Sequence, residues 1–248
     1  MDNSQVGVFL ALATERGRAL IDRRLYLPER SWSTDPRRRH AARVPDEVQF
    51  ATKPRLAAEM IAAALDAGIT PSWVTGDEAY GQDPQLRAAL EARGLGYVMA
   101  VACSTRVRIN HGRTPVRADV LVRRLPATAW QRHSAGTGAK GPRHYDWAWI
   151  HIGTDHHRHL LIRRSRTTGE LALYLCWSPT EYPWRSWSAS QVSAGAWPSV
   201  SFRSGNAGRP EPADAPETLA RPRDDCRTTN REVTTHLKVR SCGAYRPA

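Results

Sequence analysis

Apolar positions fall into short runs with two different periods. Residues 6–12 are an uninterrupted apolar stretch, and residues 19–28 read as its strand partner, with Thr14, Glu15, Arg16 and Gly17 between them. That pattern predicts a β-hairpin. A polar, arginine-rich loop is expected over 29–46. The period then changes: Leu56, Met60, Ala63, Ala64 and Ala67 recur at helical spacing, with Thr52 placed to cap, Pro54 in the first turn and Gly68 as the stop. Residues 72–75 read as a short buried strand ending at Gly76-Asp77-Glu78. A second helix opens with Asp83 and Pro84, turns Leu86, Ala89 and Leu90 inward, and ends at Gly94; residues 97–101 follow as a strand. Strand, helix, strand at this spacing is a parallel unit. The expected class is α/β with a mixed sheet.

Beyond residue 102 the chain becomes basic. The glycine-rich segment 136–142 reads as flexible, residues 145–152 alternate as a strand does, and residues 159–164 and 171–176 predict a hairpin around Thr167, Thr168 and Gly169. From Pro183 the periodicity collapses. Those 66 residues contain seven of the Ile, Leu, Val, Met and Phe set and seven of the 17 prolines. So little apolar surface cannot offset the entropy of ordering, so disorder is expected there.

Composition narrows the classes. The 248 residues carry a formal charge of +12, and no window approaches a membrane-spanning length of apolar residues. The first residues lack a basic segment of the secretory kind. Four cysteines, Cys103, Cys176, Cys226 and Cys242, stand far apart without a Cys-x-x-Cys pair, which speaks against a disulfide framework and a zinc knuckle. A reduced, cytoplasmic protein is expected. Of the 36 basic residues 33 are arginine. A GC-rich coding sequence produces that bias without any function; a polyanionic partner does so because the guanidinium binds phosphate oxygens in a two-pronged geometry. Composition leaves both open.

Asp77 carries the most chemistry. It lies just past the C-terminal end of a predicted parallel strand, where α/β sheets present ligands, and a carboxylate there suits Mg²⁺. The plainer reading is a turn-organising residue between Gly76 and Gly81. Asp155-His156-His157-Arg158-His159 looks like a metal cluster, yet adjacent side chains point different ways, which favours a solvated hairpin tip. Gly136-x-Gly138 lacks the lysine-serine sequel of a phosphate loop. Ser134 and Cys103 lack a supporting base. Arg106, Arg108, Arg113, Arg117, Arg123 and Arg124 suit phosphates or an ordinary solvated face equally.

Several collinear motifs narrow this further: Gln5-Val6-Gly7-Val8-Phe9-Leu10; Leu25-Tyr26-Leu27-Pro28; Val44-Pro45-Asp46-Glu47-Val48-Gln49-Phe50-Ala51-Thr52-Lys53-Pro54; Trp73-Val74-Thr75-Gly76-Asp77-Glu78-Ala79-Tyr80-Gly81; and Arg93-Gly94-Leu95-Gly96-Tyr97-Val98-Met99-Ala100-Val101. From about Asn3 to Pro179 the chain closely resembles insertion-sequence transposases of the DDE superfamily, including DDE superfamily endonucleases. The resemblance implies an RNase H-like fold in which three carboxylates hold two Mg²⁺ ions for in-line phosphoryl transfer at transposon ends. Asp77 matches the second carboxylate, and so would be catalytic and metal-binding. Residues 103–165 look like the mostly β insertion of such enzymes, with Arg106, Arg108, Arg113, Arg117, Lys140 and Arg143 facing DNA.

Two departures accompany the match. The family's first aspartate lies on a central strand before the opening hairpin, and that strand and its aspartate are expected to be missing here; Asp2 is not expected to replace it. The third carboxylate belongs on an amphipathic helix after the last hairpin, whereas the sequence there becomes Tyr182-Pro183-Trp184-Arg185-Ser186-Trp187, as a reading-frame shift would produce. Glu211, Glu217 and Glu232 lie in no amphipathic pattern. The expectation is therefore an incomplete RNase H-like mixed sheet over 1–102, a β-rich insertion and hairpin over 103–182, and a disordered tail over 183–248. The functional expectation is an inactive transposase remnant with DNA as partner and Mg²⁺ as the family's cofactor. The alternative is a non-catalytic DNA-binding module, or an inhibitor that co-assembles with an intact transposase or with itself. A more distant reading is a metal hydrolase joining Asp77 to the histidines of 155–159.

Overall fold

A computed structural model describes residues 6–14, 17–138, 141–180 and 236–243. The opening hairpin is present as β1 (Val6–Thr14) and β2 (Gly17–Tyr26), paired antiparallel from Val6↔Tyr26 to Thr14↔Gly17. The segment expected to be a loop over 29–46 contains a short helix, α1 (Pro36–Ala41). Asp35 accepts from the Arg38 amide at 3.0 Å and Pro36 supplies a preset φ, so a cap and a proline outweigh the absence of an apolar face.

The next elements follow their start and stop residues. Helix α2 (Lys53–Asp66) is capped by Thr52 and ends before Gly68, which has φ +86°. Strand β3 (Trp73–Gly76) leads into one turn of helix, α3 (Glu78–Gly81), and then α4 (Pro84–Ala92), capped by Asp83 at 2.8 Å from the Leu86 amide. Gly94, at φ +66°, releases the chain into β4 (Gly96–Val101), which is buried at every position and pairs parallel with β3.

The β-rich segment contains a small hairpin, β5 (Arg106–Ile109) and β6 (Thr114–Arg117), helix α5 (Ala118–Arg123), and the long strands β7 (Gln131–Gly138), β8 (Gly141–His151), β9 (Arg158–Ser165) and β10 (Leu171–Trp177). The glycine-rich stretch read as flexible is largely strand: β7 pairs with β8 as far as Gly138↔Gly141. Because β10 hydrogen-bonds to β4, strands from both halves of the chain join one sheet.

The tail departs from its expectation at one place. Residues 236–243 were expected to be disordered, but they form β11 (His236–Gly243), a strand in the interior of the sheet. The nine-stranded order is β2-β1-β11-β3-β4-β10-β9-β8-β7. β11 pairs antiparallel with β1 over eight residues and parallel with β3 over four. The sheet between β1 and β3 is thus complete, where a missing strand was expected. The reason is local alternation: Leu237 and Val239 are fully buried, stand level with Leu12 and Leu10 of β1, and join the core beneath α2 and α4 with Val8, Met60, Val74, Tyr80 and Leu90. That inward pair fixes the register of the strand against its neighbours. The rest of the expected tail, 183–235 and 244–248, lies outside the described residues.

A second core on the same face of the sheet packs Val107, Ala118 and Val122 of the small hairpin and α5 against Leu160, Ile162 and Leu173. The opposite face gathers Val98, Ala100, Trp147, Leu161, Tyr174 and Cys176. Among the described residues no helix is long and apolar enough to cross a membrane.

Candidate functional site

The turn bearing Asp77 is fixed by close packing. A Cβ on Gly76 would meet the flexible Met99 Sδ at 2.8 Å, but one on Gly81 would meet the Ala100 carbonyl oxygen at 1.9 Å, so α3 can lie this close to β4 only with glycine at 81. Tyr80, fully buried, anchors the turn from below, and Arg87 Nη1 donates to the Gly81 carbonyl. Asp77 itself is extended at φ −77°, caps α3, and accepts from the Ala79 amide at 3.0 Å. The neighbouring carboxylate, Glu78, is exposed and accepts from Gln82 Nε2 at 2.8 Å. The turn-organising role read from the sequence is therefore present.

The six cations proposed to face DNA are not one patch. Arg106 and Arg117 stand opposite each other at the open end of the β5–β6 hairpin, close to where β4 ends. Arg108 and Arg113 lie toward its tip, which reaches across to the far end of the sheet: Gly153 donates its amide to the Arg108 carbonyl at 2.7 Å. All four are exposed, but Arg117 is bound in a two-pronged ion pair to Asp119, at 3.1 and 2.8 Å, which holds the guanidinium's pKa up and the carboxylate's down. Arg143 belongs to β8, while Lys140 lies outside the described residues.

The histidines sit far from Asp77. β3, β4 and β9 run in the same direction, and Arg158 and His159 pair with Trp177 and Cys176, which pair with Tyr97 and Val98 at the beginning of β4. They therefore lie at the end where β3 starts, and Asp77 lies where it finishes. His157 and His159 line a small cavity with Trp73, Trp149 and Cys176. Burial, reinforced by neighbouring His151, lowers the His159 pKa to about 4. Asp155 Oδ1 accepts from the amides of His157 and Arg158, as a turn carboxylate does. The hydrolase reading requires these groups to meet Asp77, and they do not.

Sequence reasoning missed a polar network at that same end. Arg158 bridges Asp155 and Glu91, and the Tyr97 hydroxyl donates to Glu91 Oε1 at 2.8 Å. Burial first, then Glu91, pushes the Tyr97 hydroxyl up, so it stays a donor. The network ties α4 to β9; partners 67 residues apart give no signal in sequence. It missed Lys238 as well, 7% exposed on β11 within a segment expected to be disordered.

A strand, a one-turn helix and an aspartate at the strand's carboxyl end lie where the motifs implied, whereas the parallel strand β11 on the other side of β3 was not expected. The DDE superfamily endonuclease family profile matches residues 1–146. The chain belongs to this family. No curated protein matches the chain. Nucleases of the DDE superfamily typically use a divalent metal, and DNA is the substrate the family suggests. The described residues do not fit such a metal. Two Mg²⁺ ions require several convergent carboxylate oxygens. Strands β1, β11, β3 and β4 contain no acidic residue, so the strands beside β3 offer Asp77 no second carboxylate. Among the described residues no three His, Cys, Asp or Glu side chains are grouped to hold a metal.

Proposed function

We propose that this DDE-family chain is a transposase remnant of insertion-sequence descent, working in the cytoplasm. It holds DNA but neither cuts nor joins it. The observation that carries this reading is the composition of the strands around Asp77: β1, β11, β3 and β4 carry no carboxylate, and β11, parallel to β3, carries Lys238. One carboxylate cannot position two metal ions at the spacing in-line displacement needs. Binding is supported by Arg106, Arg108, Arg113, Arg123 and Arg124, exposed around the small hairpin and α5, and by Arg143 on β8. Of the formal +12, residues 183–248 hold 10 basic and 6 acidic residues, which is +4; the remaining 12 − 4 = +8 lies on residues 1–182.

The test is incubation of the purified chain with a transposon-end duplex and Mg²⁺ or Mn²⁺. The expected outcome is salt-dependent retardation of the duplex with no nicked or joined product. Cleavage that disappears in Asp77→Ala would overturn the reading. If the remnant instead acts by entering an intact transposase's assembly, adding it to an active enzyme lowers strand transfer in proportion to its concentration.

A further inference from the structure

The β5–β6 hairpin has two unlike faces. Val107 is buried in the second core with Ile109 packed beside it, so the alternate residues Arg106 and Arg108 point outward and are exposed. Across the ladder Arg106 stands opposite Arg117 and Arg108 opposite Pro115, which gives the outward face three arginines, one proline and no acid. Like charges directly opposite weaken a strand pair. Asp119 relieves this by binding Arg117, whereas Arg106, Arg108 and Arg113 form no ion pair among the described residues. The hairpin is also fixed at both ends. At its base the Ala118 amide donates to the Thr105 carbonyl at 2.8 Å and the Asp119 amide to the Cys103 carbonyl at 2.9 Å; toward its tip the Gly153 amide donates to the Arg108 carbonyl at 2.7 Å. Arg108 Nη1 donates to the Gly112 carbonyl at 3.3 Å, which lays the guanidinium along the ribbon. The Arg113 amide donates to the Asn110 carbonyl at 3.3 Å and closes the turn, so Arg113 stands level with Asn110, four residues along from Arg106. Four residues of strand span about 13 Å. The major groove of B-DNA is about 12 Å wide and admits a two-stranded ribbon.

We propose that this ribbon lies across the major groove of duplex DNA, with Arg106 and Arg113 on the phosphates of the two walls and Arg108 between them on a guanine edge. The inference rests on the reading that the chain holds DNA, and adds the element that meets the duplex, the groove and a base preference. A guanidinium fork matches the O6 and N7 acceptors that guanine presents in that groove. Phosphate contacts set position and register but carry no base information, so the preference belongs to Arg108. A ribbon already fixed at base and tip loses little conformational freedom on docking.

The full chain is titrated by fluorescence anisotropy against a guanine-rich duplex and against the same duplex built with 7-deazaguanine, which lacks the N7 acceptor of the major groove. The expected result is about tenfold weaker binding to the altered duplex. Arg108→Lys keeps the charge but not the fork, and is expected to bind both duplexes equally. Arg106→Ala and Arg113→Ala are each expected to keep the difference between duplexes and to shallow the salt slope by about 0.9. Equal binding of the wild-type chain to the two duplexes overturns the proposal and leaves the DNA-holding reading standing. A difference that survives Arg108→Lys overturns it in the same way. Absence of binding to either duplex removes both readings, whereas cleavage of a duplex that the chain still discriminates removes only the inert-site reading.

Discussion

Gly81 shows how one missing side chain positions another. Its backbone lies so near β4 that an added Cβ would be 1.9 Å from the Ala100 carbonyl oxygen, a contact with rigid backbone that cannot be relieved by a rotamer change. Gly81→Ala is expected to destabilise the fold by about 3 kcal/mol, read from urea unfolding, and to move Asp77 with it. A stability unchanged within 0.5 kcal/mol, roughly the scatter of surface substitutions, would refute that packing. His159 gives a prediction in pH. Burial and His151 hold its pKa at about 4 against an ordinary 6.5, so the folded chain keeps it neutral and the unfolded chain protonates it first. Its contribution to stability is whole above pH 6.5 and is lost as pH falls toward 4. His159→Gln should flatten that part of the melting-temperature profile; an unchanged slope would show that other groups set it.

At the scale of elements, the helices were legible because their ends carry local chemistry. Thr52, Asp83 and Asp77 each accept a backbone amide two or three residues on, and Gly68 and Gly94 adopt the positive φ that ends the run. Helix α1 escaped notice because it buries nothing, and a cap without an apolar stripe is easily read as loop. Strand β11 escaped for another reason. Its alternation is brief, set in a poor background, and becomes meaningful only between β1 and β3, whose partners for it lie more than 160 residues earlier in the chain. Leu237→Ala tests the element: loss of a fully buried leucine from the sheet interior should cost about 2–5 kcal/mol, comparable to Leu10→Ala in the same measurement. A neutral Leu237→Ala would mean that β11 does not complete the sheet.

Across the whole molecule, sheet direction decides what can cooperate. Asp77, Arg106 and Arg117 lie toward the end where β3 and β4 finish, whereas the histidines and the Arg158 network lie toward the end where they begin. DNA held by exposed arginines should weaken with salt, each neutralised phosphate adding a slope of about −0.9 in log K against log salt. Arg106→Ala is expected to shallow that slope by about one contact, whereas Arg117→Ala, already paired with Asp119, should shallow it less. Equal effects from both would show that the Asp119 pair opens on binding.

The sequence by itself determined the opening hairpin, helices α2 and α4, the buried strands between them, the turn that presents Asp77 and the family. Each of these rests on contacts between residues a few positions apart or on motifs read in order. Only the tertiary structure decided that the histidines are remote from Asp77, that the candidate arginines divide along a hairpin, and that β11 lies beside β3. Those outcomes depend on strand direction and register. Register is set by which distant aliphatic residues meet in a shared core, and no local pattern records that choice.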